Sequence, residues 1–275
     1  MNQSVNQNVN KNVKKNITQR FPHRSLVMRL TKQRIATRYS GSLLGIAWAF
    51  LLPLLMVSLL ALVFGQILAV RWQVGEVEAY GAILFSGLVV HLFVAECLAS
   101  APTLVLTHAH YVKSTTFPLH ILPWTMVLDA GFHLLAGVVM LLVVALVFGF
   151  KLQVALVGLP LVLLPLLPLG LGLGWMLSAL SAYFRDLAQL TNLAATGMLL
   201  LSPVLYPIDR VPESVRGFYL FNPLTLPVEN LRALLFYGQI PPAFNLLVPI
   251  AASVVFAILA RMLFKRLQPG FYDVL

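Results

Sequence analysis

Cysteine, charge and catalytic signatures are all scarce in this sequence. One residue of 275 is cysteine, Cys97, which excludes an internal disulfide and a cysteine zinc cluster. Only 10% of the residues are charged, against about 25% in a soluble domain. Nine acidic residues stand beside 19 basic ones. No HExxH, GxSxG or CxxC pattern occurs. There is also no GxxxxGK[ST] phosphate loop, so the chain does not hold ATP by that device. The histidines are His23, His91, His108, His110, His120 and His133. His108 and His110 share a loop but supply too few ligands for a metal. At 275 residues, 59% of them hydrophobic, the chain has room for about five to seven crossing helices and none for a soluble catalytic domain.

What the chain has is apolar length. Hydrophobic residues make up 59% of it, and its mean hydropathy is +0.87. A crossing helix needs about 20 apolar residues. Charge-poor runs place six spans at 43–70, 80–106, 121–150, 154–182, 187–206 and 243–263. The expected fold is an all-α polytopic membrane protein. Several runs exceed 25 residues and must tilt or kink. Pro53, Pro160, Pro165 and Pro168 are candidate kinks. Trp48, Trp72, Trp124 and Tyr183 sit near span ends, as aromatic belts do.

Charge sets the orientation. Nine of the 19 basic residues fall in the first 38 positions, the flank of a positive-inside terminus. With both termini inside, 14 basic residues lie on the inner side and five on the outer. Moving the count by one span spoils that asymmetry. The positive charge is therefore a topology signal, not a nucleic-acid one. Residues 1–23 are Asn/Gln/Lys-rich and read as a disordered polar cytoplasmic tail rather than a signal peptide. Residues 24–40, "RSLVMRLTKQRIATRYS", lack Gly and Pro and abut the first span. They read as an amphipathic helix in the membrane interface. Leu26 and Leu30 share one face, and Met28, Ile35 and Tyr39 share nearly the opposite one, so lipid and protein are both candidate neighbours. Residues 207–242 are too apolar for a solvated loop and too broken for a crossing helix. Pro212, Pro223 and Pro227 each stand where a short helix can begin, so two re-entrant outer helices are expected, buried in protein or beside water.

Two acids lie inside spans, Glu96 and Asp129. Such a residue costs about 2.5–3.5 kcal/mol at mid-helix. Both lie roughly 12–15 Å from the inner end of their helices, and His133 is one turn beyond Asp129. Three readings stay open: a proton-coupling pair, interhelical hydrogen bonding, or a polar wall facing a water-filled vestibule. Between spans four and five, "SAYFRDLAQL" puts Arg185 and Asp186 at an inner hinge. Asp186 is expected to cap the next helix, and Arg185 to reach lipid phosphate or the 24–40 helix.

Five stretches together resemble the ABC-2 type permeases that export bacterial surface polysaccharides, the O-antigen, teichoic-acid and capsule exporters. They are "RYSGSLLGIAWAFLLPLLM" (38–56), "YVKSTTFPLHILP" (111–123), "YFRDLAQL" (183–190), "SPVLYPIDRVP" (202–212), and "NPL" followed by "ENLRALLFYG" (222–238). The tail "FKRLQPGFYDVL" fits as well. The resemblance covers residues 24–275, a single permease domain. It implies a non-catalytic half-transporter in the bacterial inner membrane that works as a homodimer. It further implies two copies of a P-loop ATPase subunit, which carry the ATP and magnesium; this chain itself binds no cofactor. The implied substrate is a lipid-linked polysaccharide, with periplasmic or outer-membrane export proteins as further partners.

The resemblance also implies site residues. Arg29, Arg34, Arg38, Tyr111, Lys113, Phe117 and Pro118 would couple to the ATPase. Trp48, Phe50, Phe85, Phe93, Glu96 and Asp129 would line the channel. Tyr206, Pro207, Asp209, Asn222, Pro223, Glu229 and Arg232 would form the outer gate. The 106–120 loop carries one lysine where relatives often have more, so packing by Phe117 would replace charge. An exporter of teichoic acid, a small lipid or a drug is the near alternative. A proton-coupled secondary transporter using Glu96 and Asp129, or a membrane-embedded glycosyl- or acyltransferase, is the distant one.

Overall fold

The computed structural model describes residues 23–67, 73–74, 77–78, 80–108, 117–150, 153–219 and 221–271. Helix α1 (His23–Tyr39) precedes the first span. That span joins a 3-10 turn, Gly45–Ala47, to α2 (Trp48–Leu60) and a π-helical end, Ala61–Ile67. Two-residue strands, β1 (Gln73–Val74) and β2 (Val77–Glu78), pair antiparallel. Then come α3 (Tyr80–Ser100), α4 (Thr103–Leu106) and α5 (Leu122–Val147). They are followed by α6 (Leu159–Leu163), α7 (Leu166–Tyr183) and α8 (Leu187–Leu201). Next come α9 (Glu213–Tyr219) and α10 (Thr225–Leu235), and α11 (Ala243–Leu267) follows.

Among the described residues, five helices are long and apolar enough to cross a membrane: Gly45–Ile67, Tyr80–Ser100, Leu119–Val147, Val154–Tyr183 and Ala243–Gly270. They overlap five of the six expected runs. The run at 187–206 is different. Its helix, α8, stops at Leu201 after 15 residues, about 22 Å, short of an apolar core about 30 Å thick. The cause is local. Ser202 precedes Pro203, whose ring pushes the residue before it out of the helical region, and Ser202 is extended (φ −109°, ψ 156°). The last five residues assigned to that span therefore belong to an irregular segment.

Prolines start helices more often than they kink them. Pro160 lies in the first turn of α6, Pro165 caps α7, and Pro168 lies in α7's first turn. Pro53 is the one of the four expected kink sites that sits well inside a helix. Pro102 separates α3 from α4, and its carbonyl accepts a 2.5 Å bond from Ser181 Oγ.

The core centres on α3, which is enclosed along most of its length by α5, α7, α8 and α10. The other extensive contact joins α7 to α11. It depends on Gly172: a Cβ there would lie 2.4 Å from the Phe256 ring. Near the C-terminal end of α11, Tyr183 donates to the Leu267 carbonyl (2.8 Å), and Arg261 lies over the Trp175 ring at 5.5 Å.

Candidate functional site

Polar side chains gather at the two ends of α3. At one end they join α1 to the spans. Arg34 and Arg38, four residues apart, share a face of α1. Arg34 Nε donates to Asp129 Oδ2 at 2.8 Å. Arg38 Nη1 donates to Glu96 Oε1 at 2.5 Å, and Arg38 Nη2 lies 3.6 Å from Asp129 Oδ2. His133, one turn from Asp129 on α5, places Nδ1 2.9 Å from Glu96 Oε2 and Nε2 2.6 Å from the Tyr39 hydroxyl. Arg38 Nη1 also lies 3.1 Å from His133 Nδ1, so the ring is surrounded by Glu96, Arg38 and Tyr39. One network thus ties α1, α3 and α5 together.

Burial makes the network consequential. The Asp129 side chain is 1% exposed, Glu96 16% and Arg38 38%. Burial alone would lower the Arg38 pKa, but the carboxylates of Glu96 and Asp129 outweigh it and hold the guanidinium above its ordinary value. The Tyr39 hydroxyl is raised, chiefly by burial. Glu96, Asp129 and His133 offer ligand atoms within 4.8 Å of one another. However, two guanidiniums already neutralise the two carboxylates, and a cation would have to displace them.

At the other end of α3 the problem is the chain break after α8. A helix terminus leaves its last carbonyls without partners, and in an apolar medium each must be satisfied internally. Side chains do this one carbonyl at a time. Tyr206 OH donates to the Leu200 carbonyl (2.6 Å) and Asn222 Nδ2 to that of Leu201 (3.1 Å). Arg232 reaches two: Nη1 to Pro203 at 2.6 Å and Nη2 to Val204 at 3.2 Å. Tyr80 OH takes the Leu205 carbonyl at 3.0 Å. Arg232 is 1% exposed and is neutralised by Glu229 at 2.8 Å on its own helix. Asn222 Nδ2 also bonds Ser202 Oγ (2.8 Å), and its Oδ1 accepts from the Leu224 amide (2.9 Å). Tyr219 donates to Tyr206 (2.7 Å).

The outer residues expected from sequence separate accordingly. Tyr206, Asn222, Glu229 and Arg232 converge on one clasp. Pro207 caps the 3-10 turn Ile208–Arg210, which contains Asp209. The Asp209 backbone carbonyl accepts from Arg216 Nη2 (3.2 Å). Pro223 lies just ahead of α10. Tyr80 and Tyr219 were missed: a tyrosine at a span entrance, such as Tyr80, is indistinguishable in sequence from a belt residue.

Two other expectations need correcting. Phe85 and Phe93, expected in the channel, are 0% and 1% exposed and belong to the protomer's own core. Glu96 and Asp129 make interhelical bonds to Arg38 and Arg34, one of the three readings open from sequence, and Glu96 also lines the groove beside Trp48. Asp186 occupies the N-cap position of α8 but makes no capping bond. Its backbone is helical (φ −72°, ψ −7°), whereas a capping side chain reaches the N2 or N3 amide from an extended residue. Asp186 and Arg185 are exposed.

Of the other expected residues, Arg29 is exposed, and Trp48 and Phe50 are half-buried. Phe117 packs against the core, and Pro118 starts the turn before α5. Tyr111 and Lys113 lie outside the described residues. Trp48 lines a groove of about 780 Å³ with Leu52, Leu55 and Met56 of α2, Leu92 of α3, and Arg38.

Comparison with known proteins now bears on these features. Residues 25–236 match the family described as "ABC-2 type transporter". Two proteins of Klebsiella pneumoniae, each called "O-antigen export system permease protein RfbA", are 24% identical over 251 residues, 91% of this chain and 95% of theirs. A Myxococcus xanthus protein with the same name is 25% identical over 255 residues, 92% and 96% of the two chains.

Proposed function

Since the chain belongs to the ABC-2 type transporter family, we propose that it is the membrane-embedded permease of an ATP-driven exporter of a lipid-linked polysaccharide of O-antigen or capsule type. The observation that carries this reading is full-length alignment with three proteins named as O-antigen export permeases, over nine-tenths of both partners. Permeases of this family work with an ATPase subunit, and this chain has no phosphate loop of its own. Two copies form the pathway, each carrying one ATPase. The chain sits in the bacterial inner membrane with both termini cytoplasmic, as the 14-to-five distribution of basic residues favours. Residues 187–206 complete a sixth crossing, and the outer helices α9 and α10 re-enter as a gate.

The tether supports ATP-driven coupling over proton coupling. A proton carrier alternates between charged and neutral forms. Here each carboxylate has an arginine counter-ion, and protonating either would strand a guanidinium at the membrane boundary. Instead, the ion pairs fasten α1 to α3 and α5, so that force applied at the cytoplasmic face moves α1 and the spans as one body. Phe117, Pro118, Tyr111 and Lys113 supply the second point of contact with the ATPase.

The test is deletion of the gene, followed by complementation together with the ATPase subunit. Surface polysaccharide disappears on deletion and returns only when the permease and a hydrolysis-competent ATPase are both supplied. Full export with a phosphate-loop-dead ATPase would refute the reading. Normal polysaccharide display combined with loss of a small lipid or drug from the medium would move the substrate to that class.

A further inference from the structure

Helix α3 carries both polar sites. At one end Glu96 receives Arg38 of α1. At the other, Tyr80 holds the Leu205 carbonyl. Sixteen residues of unbroken helix, about 24 Å, separate them. The helix contains no proline and is largely enclosed, so its neighbours keep it from bending. A second contact fixes the break to the same rod. A Cβ at Gly87 would lie 3.0 Å from Val204 Cα and 3.1 Å from Arg232 Nη2; the bare glycine lets the 202–205 segment rest directly on α3.

We infer that Tyr80 and Gly87 are positioning residues that fasten the break after α8 to α3, so that displacement of α3 by α1 reaches the outer clasp. The inference rests on the ATP-driven reading above and adds its route. The route consists of the Arg38–Glu96 pair, the α3 rod, the Tyr80 hydroxyl bond and the Gly87 contact, and finally the carbonyls that Arg232 also grips. No resemblance assigns Tyr80 or Gly87 such a part. What singles them out on α3 is that both touch the backbone of the break itself, so the tie does not depend on which side chains the break carries.

The experiment uses the reconstituted permease–ATPase complex with Leu205→Cys as the reference. Leu205 is 4% exposed and the native Cys97 is buried. Labelling by a membrane-impermeant maleimide therefore reports opening of the break, and phosphate release reports ATP hydrolysis. In the reference, ATP raises labelling. Adding Tyr80→Phe, which removes only the hydroxyl, cuts that ATP-dependent rise about fivefold while hydrolysis continues. Ser86→Ala serves as the control. Its hydroxyl is just as buried but bonds only within its own helix, to the Ile83 carbonyl at 2.6 Å, and its removal leaves the rise intact. Gly87→Ala, whose methyl pushes the break away, repeats the Tyr80→Phe result and substitutes for it if that variant does not fold.

An undiminished rise in Tyr80→Phe and Gly87→Ala would overturn the inference. So would an equal loss in Ser86→Ala, which would mean general loosening of α3. If ATP never raises labelling in the reference, the ATP-driven reading itself fails, a result distinct from either.

Discussion

Breaking the Arg38–Glu96 pair is the sharpest probe of the tether. The pair is short, 2.5 Å, and its side chains are 38% and 16% exposed. A fully exposed pair is worth about 0–1 kcal/mol. Removing one partner of a buried pair costs about 3–5 kcal/mol, because the other charge is stranded. This pair lies between those limits, so the coupling expected from Arg38→Met, Glu96→Gln and the double variant is about 2 kcal/mol. Each single variant should lose about 2–3 kcal/mol in unfolding of the purified permease in detergent, and the double variant clearly less than their sum. A local assay accompanies the global one. Lys32 is exposed on α1, so tryptic cleavage after it should accelerate in either single variant. Exchanging the charges, Arg38→Glu with Glu96→Arg, should restore part of the protection but not all. Asp129 and His133 also touch the two sites and would then face the wrong charges. Additivity of the singles within about 0.5 kcal/mol, with unchanged cleavage at Lys32, would refute the tether as an energetic unit.

Three further outcomes follow from the same geometry. Arg232→Ala removes the donors of the Pro203 and Val204 carbonyls and should cost about 3–4 kcal/mol; Arg232→Lys keeps the charge but not the fork and should fall between, as thermal denaturation in detergent would show. Asp186→Ala should stay within about 0.5 kcal/mol of the parent, since the carboxylate is exposed and makes no capping bond; a loss above about 1 kcal/mol would reinstate the cap. Gly172→Ala drives a methyl into Phe256 and should cost about 1–3 kcal/mol, recovered in part by trimming Phe256 to leucine in the same chain.

Much of the fold was legible from composition, because a bilayer imposes one strong rule on sequence: long charge-poor runs. Five runs map onto helices long and apolar enough to cross, with ends shifted by at most seven residues. The sixth was misjudged at its end, where hydropathy sees 187–206 as uniform and the Ser202–Pro203 step is invisible to it. The site was legible by half. Glu96, Asp129 and His133 stood out because charge inside a span is expensive, and their shared depth correctly suggested proximity. Their partners did not stand out. Arg34 and Arg38 looked like two more members of a basic flank, although their four-residue spacing, matching that of Asp129 and His133, is a pairing signal that could have been weighed. The clasp was the hardest part to foresee. Its acceptors are backbone carbonyls, which every residue has, so no pattern of side chains marks them in advance.

The same difference explains why each cluster is built from its own residue types. At the α1 end the acceptors are carboxylates, and the donors are charged groups able to neutralise them; the network gains stability only while every charge has its partner. At the α8 end the acceptors are neutral carbonyls, and neutral donors suffice for three of the five, Tyr206, Asn222 and Tyr80. Arg232 serves the remaining two because only a guanidinium presents parallel donors to adjacent carbonyls, and Glu229 beside it offsets the cost of enclosing that charge. An ion network resists displacement until a whole pair separates, whereas a row of single hydrogen bonds can open one bond at a time. Of the two ends of α3, the break after α8 is therefore the one suited to yield, and the tether to α1 the one suited to hold.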